Sequence, residues 1–417
     1  MGASYPYRIQ YLELGDIHSS NVPSGPAFLI FLHNDIPLGH LWIDASDKFS
    51  ETDFIERLIL SVKAAFNYYC GQSGHDSETW KSALRDRNMT AFKSFLESCI
   101  RHPFPVVSGQ NGSEGLSVVI CTRNRSKALK GCIESLLNSS DPDFELIIVD
   151  NAPDDDSTEQ LVKSFRSIRY VRENRKGLDI ARNRGAATAS HDIIAYTDDD
   201  VIVSVDWIKK LKQCFSDPDT FSVTGQVFPC SLTTEAQYIF ERYWGFNKGY
   251  VPLLFDKKYF QEHFDRGVPV WEMGAGANMA FRRKVFNLAG YFDERLDVGA
   301  AGCSGDSELW YRILAGGWSC RYYPHLYVYH NHRETEKELK KQLYNYMRGF
   351  VAALLVQHEK FGHKGNLLRL YNITPKWYFS RLKGALKGRK EGFLLSEVRG
   401  YISGWRFYQS NKKNHPV

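Results

Sequence analysis

The segment from residue 192 to residue 200 constrains this chain most, because an apolar run there ends in three carboxylates, Asp198, Asp199 and Asp200. Carboxylates held a few ångströms apart repel one another and raise each other's pKa unless a counter-charge is present. Mg2+ and Mn2+ prefer oxygen ligands, and Mg2+ often binds through carboxylates together with the phosphates of a substrate. The segment therefore predicts a buried strand that leads into a metal site for a phosphorylated ligand.

A second acidic triplet provides an internal comparison. Residues 154–156 are also three aspartates, but they follow Asn151-Ala152-Pro153 and precede Ser157 and Thr158. Asp is favoured in turns and at helix N-termini, where it caps backbone N–H groups and interacts with the helix dipole. We interpret residues 154–156 as a turn and cap, and the same interpretation stays open for residues 198–200 until their surroundings are considered.

Strand and helix patterns alternate around the first triplet. Runs rich in Val and Ile predict strands at residues 116–120, 144–149, 168–171 and 192–197, and helical spacing is seen at residues 128–137, from 158, and at 178–189. This alternation is typical of βαβ units in an α/β domain with a mostly parallel central sheet flanked by helices. Ligands bind at the carboxyl ends of such strands, where residues 121–123, 150–151 and 198–200 all fall.

Eight short motifs follow one another between residues 115 and 333. They lie at residues 118–125, 148–151, 177–185, 197–200, 274–283, 290–294, 305–312 and 328–330. Taken together, their order and spacing resemble family 2 glycosyltransferases of the GT-A fold. The resemblance implies inverting transfer of a sugar from a UDP-, dTDP- or GDP-linked donor to an acceptor hydroxyl on a glycan, a lipid carrier or a small molecule.

The same resemblance implies roles for residues on the donor side. Asp198 and Asp200 would hold Mg2+ or Mn2+, which neutralises the departing diphosphate as a Lewis acid. His330 matches a position from which His can reach the metal, although a structural His is an open alternative. Asp150 would accept a hydrogen bond from the nucleobase. The other implied substrate-binding residues are Thr122, Arg125, Arg182, Asp199, Gly276 and Asn278, and surface solvation remains a rival for the first three of them.

Asp306 matches the catalytic base of the family. A base is required because the acceptor hydroxyl must lose its proton as it attacks. Asp306 begins a predicted helix at residues 307–314, and this chain has Gly305 where the family usually has Glu before the catalytic Asp. Capping of the helix by Asp306 is the structural alternative. Glu308 is the second candidate for the base.

The length of 417 residues predicts two or three folding units. Strand patterns at residues 7–14, 27–32 and 38–43 and helical patterns at 52–69 and 89–100 indicate a small α+β accessory domain at residues 1–105. A polar segment at residues 106–115 is interpreted as a linker. Residues 116–333 form the predicted catalytic domain, and residues 334–417 form a helical C-terminal extension.

The C-terminal extension differs from the rest of the chain in charge. It carries 17 Lys and Arg against 6 Asp and Glu, interleaved with aromatic residues such as Trp377 and Trp405. Basic residues attract anionic lipids, and Trp and Tyr favour the membrane interface, so the pattern predicts peripheral membrane contact and a lipid-linked or membrane-delivered acceptor. Packing of these aromatics against the catalytic domain is the alternative. A nucleic-acid partner is not expected, because the transfer of a sugar has no evident need for nucleic-acid binding.

The remaining composition favours a cytoplasmic location, including the inner face of the cell membrane. The 8 cysteines are scattered without a metal-binding spacing, and we interpret them as reduced thiols. No apolar run approaches the length of a membrane span.

Two other functions compete with glycosyl transfer. A sugar-phosphate nucleotidyltransferase should carry a Gly-rich phosphate loop after its first strand, but residues 121–125 contain no glycine. A non-catalytic nucleotide-binding or scaffold protein is compatible with any fold. Acids at both the donor position and the base position argue against that third class.

Overall fold

The computed structural model describes residues 5–17, 24–48, 50–100, 115–387 and 392–412, so the predicted linker at 106–115 lies outside them except for Gly115. The strands are β1 (Arg8–Glu13), β2 (Ala27–His33), β3 (Ile36–Ile43), β4 (Leu116–Thr122), β5 (Glu145–Asn151), β6 (Ile168–Glu173), β7 (Ile193–Asp198), β8 (Val201–Val203), β9 (Thr220–Pro229), β10 (Leu253–Phe255), β11 (Asn278–Arg282) and β12 (Ser319–His330). The helices are α1 (Glu51–Ser73), α2 (Thr79–Arg85), α3 (Met89–Cys99), α4 (Ser126–Leu137), α5 (Ser157–Lys163), α6 (Leu178–Thr188), α7 (Trp207–Cys214), α8 (Glu235–Trp244), α9 (Lys257–His263), α10 (Lys284–Leu288), α11 (Gly305–Ala315), α12 (Glu336–Phe361), α13 (Lys364–Leu368), α14 (Thr374–Leu386) and α15 (Leu394–Asn411).

A large central sheet organises the catalytic domain, and the predicted α/β class is confirmed. Its strand order is β10-β12-β9-β11-β7-β4-β5-β6, with β8 paired to β12. The strands β7, β4, β5 and β6 run parallel, as the βαβ pattern predicts. Beyond β7 the sheet is mixed, because β11 inserts antiparallel between β7 and β9. The alternating pattern of the sequence therefore describes the half of the sheet that precedes residue 200.

Both faces of the parallel half are buried, which explains why its strands are nearly continuous apolar runs. Side chains alternate between faces along β4: Val118 and Ile120 join one core, while Val119 joins the core on the opposite face. The helices that connect parallel strands must cover the sheet on both sides, so the two cores follow from the topology.

The register of the parallel strands brings their polar ends together. Cys121 of β4 pairs with Asp198 of β7, and Thr122 pairs with Asp150 of β5. Three strand ends therefore meet at one edge of the sheet, which is where the sequence predicts the ligand site.

The N-terminal residues form a three-stranded sheet of order β1-β2-β3, covered by α1. Its strands and its two longest helices lie close to the predicted positions. The core of this unit continues into the catalytic domain, where Phe228, Leu232, Tyr250 and Tyr327 belong to the same buried cluster. The accessory unit therefore shares a core with the central sheet.

The C-terminal extension is helical and packs closely through glycines of α15. A Cβ on Gly400 would lie 2.2 Å from the carbonyl oxygen of Tyr344, and one on Gly404 would lie 2.4 Å from that of Arg348. Only residues without a side chain allow α12 and α15 to approach so closely. The helix α12 is long enough to cross a bilayer, but no helix within the described ranges is also sufficiently apolar.

The aromatic residues of the extension divide into two groups. Tyr408 shares a buried cluster with Leu296 and Ala301 of the catalytic domain, as the packing alternative predicts, whereas the buried partners of Tyr378 are Met347 and Leu394 of the extension itself. Trp377, Phe379 and Trp405 remain exposed. The extension thus combines a packed inner side with an outer surface that is both aromatic and basic.

Candidate functional site

The aspartates after β7 form a buried, hydrogen-bonded acidic edge. The hydroxyl of Thr122 donates to Asp199 over 2.7 Å, and the Arg125 guanidinium donates to Asp199 and, over 2.6 Å, to Asp200. Thr122 and Arg125 are therefore brought to the predicted site, where they hold the acidic triplet in place. By contrast, the aspartates at 154–156 are exposed, and Asp155 accepts from the backbone N–H of Ser157, as a turn residue does.

Burial and mutual repulsion shift the pKa values of these three aspartates. Burial and the neighbouring Asp200 raise the pKa of Asp198 to about 7. Burial likewise raises the pKa of Asp199 to about 6, although Arg125 opposes it. Burial also acts on Asp200, but His330 and Arg125 keep the pKa of Asp200 below its ordinary value. Arg125 and Arg333, which lies 3.6 Å from Asp200, are outnumbered by three carboxylates, so the edge favours a bound cation.

Asp198, Asp200 and His330 fit a divalent metal ion. Each offers one ligand atom, and these atoms all lie within 4.8 Å of one another. The Nε2 atom of His330 is 3.4 Å from Oδ1 of Asp200. Burial lowers the pKa of His330 to about 4, so its imidazole is neutral and has a lone pair for a metal. Two carboxylate oxygens and one imidazole nitrogen suit Mn2+ and accommodate Mg2+.

A second histidine and a glutamate orient His330. Nδ1 of His330 lies 3.0 Å from Nδ1 of His332, and Nε2 of His332 lies 2.8 Å from Oε2 of Glu241. If Glu241 accepts the Nε2–H of His332, then Nδ1 of His332 accepts from Nδ1–H of His330, and Nε2 of His330 keeps its lone pair toward the acids. Sequence reasoning missed Glu241, because 91 residues separate it from His332.

Asp150 offers a buried oxygen with no partner. Its Oδ2 atom accepts a 2.8 Å hydrogen bond from the hydroxyl of Tyr170, while Oδ1 has no partner among the residues that the structure describes. Burial raises the pKa of Asp150, with the Tyr170 bond acting in the opposite direction. A buried acceptor of this kind is rare in proteins and suits an N–H donor on a bound ligand. Tyr170, on the adjacent β6, was not identified from the sequence.

Arg182 connects the donor side to the predicted base. Its Nη1 donates to Asp179 over 3.0 Å and to Asp297 over 2.7 Å. A Cβ on Gly276 would lie 2.7 Å from Nη2 of Arg182 and 3.0 Å from Oδ2 of Asp306. Gly276 is therefore at the site, as predicted, because only glycine allows the backbone this close to both groups.

Asp306 lies in the first turn of α11 and lines the cavity described below. Its Oδ1 atom accepts from the backbone N–H of Ser307 over 2.6 Å, so one oxygen does make a local helix-end contact. Burial raises the pKa of Asp306, while Arg182 opposes the rise. Oδ2, the oxygen beside Gly276, is the one available to a ligand.

Glu308, the second candidate for the base, is fully engaged elsewhere. It is buried and accepts from Arg312 over 2.9 and 3.0 Å and from Lys360 over 3.0 Å. Both of its oxygens are thus occupied by two cations and are not available to an acceptor hydroxyl. The geometry therefore favours Asp306 over Glu308.

Gly305, the departure from the family pattern, is explained by Asp179. A Cβ at position 305 would lie 1.9 Å from Oδ2 of Asp179. The Asp179 carboxylate thus occupies the space that a side chain at 305 would need, and it places one oxygen on Arg182. Sequence reasoning did not single out Asp179, since only the folded chain brings it against Gly305.

The structure corrects the prediction for Asn278. Its Nδ2 donates to the backbone oxygens of Gln226 and Leu326, each over 2.9 Å, and its Oδ1 accepts from the indole of Trp207 over 3.0 Å. Asn278 begins β11 and is fully buried, so its side chain joins neighbouring strands and does not reach the cavity. The expected substrate contact was wrong because the loop that carries Gly276 has already turned into the sheet at this residue.

A cavity of about 950 Å3 connects these groups with the C-terminal extension. Asp198, Arg182, His330 and Asp306 line it. The lining also contains the aromatic side chains of Trp244, Trp271, Phe350 and Trp377. A largely apolar cavity with a few convergent polar groups is the usual form of a small-molecule site.

Comparison with known proteins gives the central domain a clear relationship. Residues 117–288 match the model of the family described as Glycosyl transferase family 2. The chain is 26% identical over 185 residues to a glucosyl-dolichyl phosphate glucuronosyltransferase of Haloferax volcanii, covering 43% of this chain and 56% of the relative. It is 31% identical over 185 residues to the glycosyltransferase GlyG of Streptococcus pneumoniae serotype 4, covering 37% of this chain and 61% of the relative.

Two further likenesses extend beyond that domain. A pre-mycofactocin glycosyltransferase of Mycobacterium tuberculosis is 26% identical over 272 residues, covering 63% of this chain and 52% of the relative. A solved mannosyltransferase from Pyrobaculum calidifontis, in complex with GDP-Man and Mn2+, aligns at a TM-score of 0.47 and 14% identity, covering 79% of this chain and 97% of its own. The chain thus spans little more than half the length of the curated relatives named here.

The two acidic triplets give a direct test of the metal site. We expect Asp200→Ala to weaken Mn2+ binding by about a hundredfold, because it removes a metal ligand outright. Asp155→Ala should leave the affinity unchanged, since Asp155 is exposed and makes only a turn contact. Titration of the purified variants with Mn2+, followed by electron paramagnetic resonance, measures both affinities. Equal losses in two folded variants would contradict the assignment.

Proposed function

Because residues 117–288 belong to glycosyl transferase family 2, we propose that the chain is an inverting glycosyltransferase, which moves a sugar from a nucleotide-sugar donor to an acceptor hydroxyl. One observation carries the proposal beyond the family match. The unpartnered oxygen of Asp150 and the Asp198–Asp200–His330 group lie at the same edge of the central sheet, and Asp198, His330 and Asp306 line one cavity. These groups suit the three parts of a nucleotide-sugar reaction: base recognition, diphosphate departure and acceptor activation.

The donor end of the site recognises and neutralises the leaving group. Asp150 accepts an N–H of the nucleobase through Oδ1. Asp198, Asp200 and His330 would hold Mn2+ or Mg2+, which when bound stabilises the charge that develops on the diphosphate. Thr122 and Arg125 keep the acidic triplet fixed, so that its oxygens need not reorganise during the reaction.

At the acceptor end, Asp306 acts as the general base. Its Oδ2 takes the proton of the acceptor hydroxyl. At the same time the oxygen of that hydroxyl attacks the anomeric carbon, and the bond between this carbon and the diphosphate breaks. A single displacement of this kind inverts the anomeric configuration. Burial brings the pKa of Asp306 upward and makes it a stronger base, and Arg182 keeps it ionised.

The two competing functions find less support. The nucleotidyltransferase alternative requires a Gly-rich phosphate loop, and residues 121–125 after β4 contain no glycine. The scaffold alternative does not explain why Asp306 lines the cavity with its Oδ2 atom available to a ligand. The family match and the retained acids together favour an enzyme.

Replacing the proposed base should slow the transfer step and leave donor binding intact. We expect Asp306→Asn to lower turnover by about a hundredfold or more, because the amide keeps the shape but cannot accept the proton. Donor affinity, measured by calorimetry, should change little. Released nucleoside diphosphate from a panel of nucleotide sugars with Mn2+ measures turnover, and the exposed Asp265→Asn is a matched control. Near-normal turnover in Asp306→Asn would exclude Asp306 as the base.

The contact between Gly305 and Asp179 makes a second prediction. A Cβ introduced by Gly305→Ala should push the Asp179 carboxylate away from Arg182 and lower turnover by about tenfold or more, since small displacements at a catalytic site are costly. Gly131→Ala is the control, because a Cβ there meets only an ordinary contact at 3.6 Å. The melting temperature of both variants should be recorded. Full activity of Gly305→Ala would show that the Asp179–Arg182 contact does not support catalysis.

The outer surface of the C-terminal extension supports a membrane location for the acceptor. Exposed apolar side chains on the last helices include Trp377, Phe379, Leu382, Leu386, Leu395, Ile402 and Trp405, which we call the tail surface. Lysines and arginines lie among them, with Arg381 over the ring of Trp377 and Lys383 over that of Phe379. An anionic bilayer complements both the apolar groups and their charges.

A vesicle assay tests this location. We expect sedimentation of the full chain with anionic vesicles at low salt, weaker binding at high salt, and little binding to neutral vesicles. The double variant Leu382→Asp, Leu386→Asp should lose binding, because it places charges on the tail surface. Leu60→Asp is the matched control, since Leu60 is 70% exposed but lies on α1. Binding that is unchanged in the double variant would return the tail surface to an ordinary solvent-facing role.

A further inference from the structure

The cavity beyond Asp306 contains cations that form no ion pair within the described residues. Of its lining cations, Arg182 and Arg333 face the acids of the donor side. Three others have no carboxylate within ion-pair distance in the part of the chain that the structure describes: Lys248, Lys341 and Arg369. The acceptor half of the cavity is therefore cationic, in contrast to the acidic edge of the sheet.

Lys248 is the one of these three cations whose pKa responds to the charge of Asp306. It is partly buried in the loop after α8 and lines the cavity, and its ammonium group makes no hydrogen bond or ion pair within the described ranges. Burial lowers the pKa of Lys248, and the charges of Glu272 and Asp306 act in the opposite direction. A desolvated ammonium group without a partner is unfavourable unless an anion binds to it. That anion would lie close to the hydroxyl that Asp306 activates.

An aromatic wall follows the cationic groups. The guanidinium of Arg369 lies 4.9 Å from the centre of the Trp271 ring, and Trp271 meets the Phe350 ring edge-on at 5.3 Å. Nε of Arg369 donates to two backbone carbonyl groups, which fix its orientation. Trp377 lines the same cavity and is 47% exposed on the tail surface. An apolar route thus runs from the cationic groups to the outside of the extension.

We propose that the acceptor is a lipid whose hydroxyl-bearing head group is joined to its apolar chain through a phosphate. The phosphate binds Lys248 and Arg369, and the chain passes Trp271 and Phe350 and leaves past Trp377 toward the tail surface. This assignment rests on the proposed function, because the acceptor hydroxyl must reach Asp306. It adds the chemical class of the acceptor, which neither the acidic edge nor the family match specifies.

Binding of a short lipid phosphate tests the proposal without knowledge of the natural acceptor. The probe is farnesyl phosphate, used below its micelle concentration, and tryptophan fluorescence of the full chain reports its binding, since Trp271 and Trp377 line the cavity. Farnesol and inorganic phosphate are the comparison ligands. We expect farnesyl phosphate to bind at least about tenfold more tightly than either, as one charge-assisted hydrogen bond in a desolvated site provides.

A matched pair of lysine variants locates the phosphate. Lys248→Met should weaken farnesyl phosphate binding by about tenfold or more, and it removes no hydrogen bond or ion pair of the Lys248 side chain within the described residues, so the melting temperature should change little. Lys376→Met should change binding less than about twofold, because Lys376 is exposed beside Trp377 but does not line the cavity. Equal binding by the wild type and Lys248→Met would overturn the assignment.

The comparison ligands separate the remaining explanations. Farnesol that binds as tightly as farnesyl phosphate would show an apolar site only, and inorganic phosphate that competes equally well would show a site for free phosphate; either result overturns the proposal. The thermal shift caused by a nucleoside diphosphate with Mn2+ is measured on the same protein. A normal shift without farnesyl phosphate binding rejects this inference alone, whereas loss of both rejects the proposed function as well.

Discussion

Repulsion among buried carboxylates is the constraint on which the site depends. Two acidic groups lie close together. Arg125 and Arg333 face the first, at Asp199 and Asp200, and Arg182 faces the second, at Asp179 and Asp297, with Asp306 nearby. In both groups the aspartates outnumber the arginines. The first imbalance favours a divalent cation. In the second, burial and then the charge of Asp297 raise the pKa of Asp306, the proposed base. Clustered carboxylates thus have a different chemical consequence in each of the two groups.

Much of this arrangement can be predicted from the sequence, because it depends on strand ends. The alternation of strands and helices places Thr122, Asp150 and Asp198 at one edge, and the parallel register brings them together. The aspartate triplet at residues 154–156 was separated from the functional one by its neighbours alone. Local pattern and topology were sufficient to predict that these strand ends meet.

The residues that sequence reasoning missed act across long separations in the chain. Glu241 reaches His330 only through His332, and Tyr170 reaches Asp150 from the adjacent strand. Asn278 was assigned to the ligand because it lies in a glycine-rich motif, yet it is fully engaged inside the sheet. No periodicity or spacing encodes such partners, since packing of the complete chain selects them. The mixed half of the sheet was missed for the same reason.

The shared core of the accessory and catalytic units has a consequence for how the protein is handled. Neighbouring residues of β9 and β12 serve opposite sides: Val227 and Val328 pack inside the catalytic domain, while Phe228 and Tyr327 complete the core of the N-terminal unit. We therefore expect the two units to unfold together. A fragment that begins at β4 would retain every acid of the site and still expose large aromatic side chains to water. Aggregation of such a fragment would result from the loss of its packing partners in the N-terminal unit and would carry no information about catalysis.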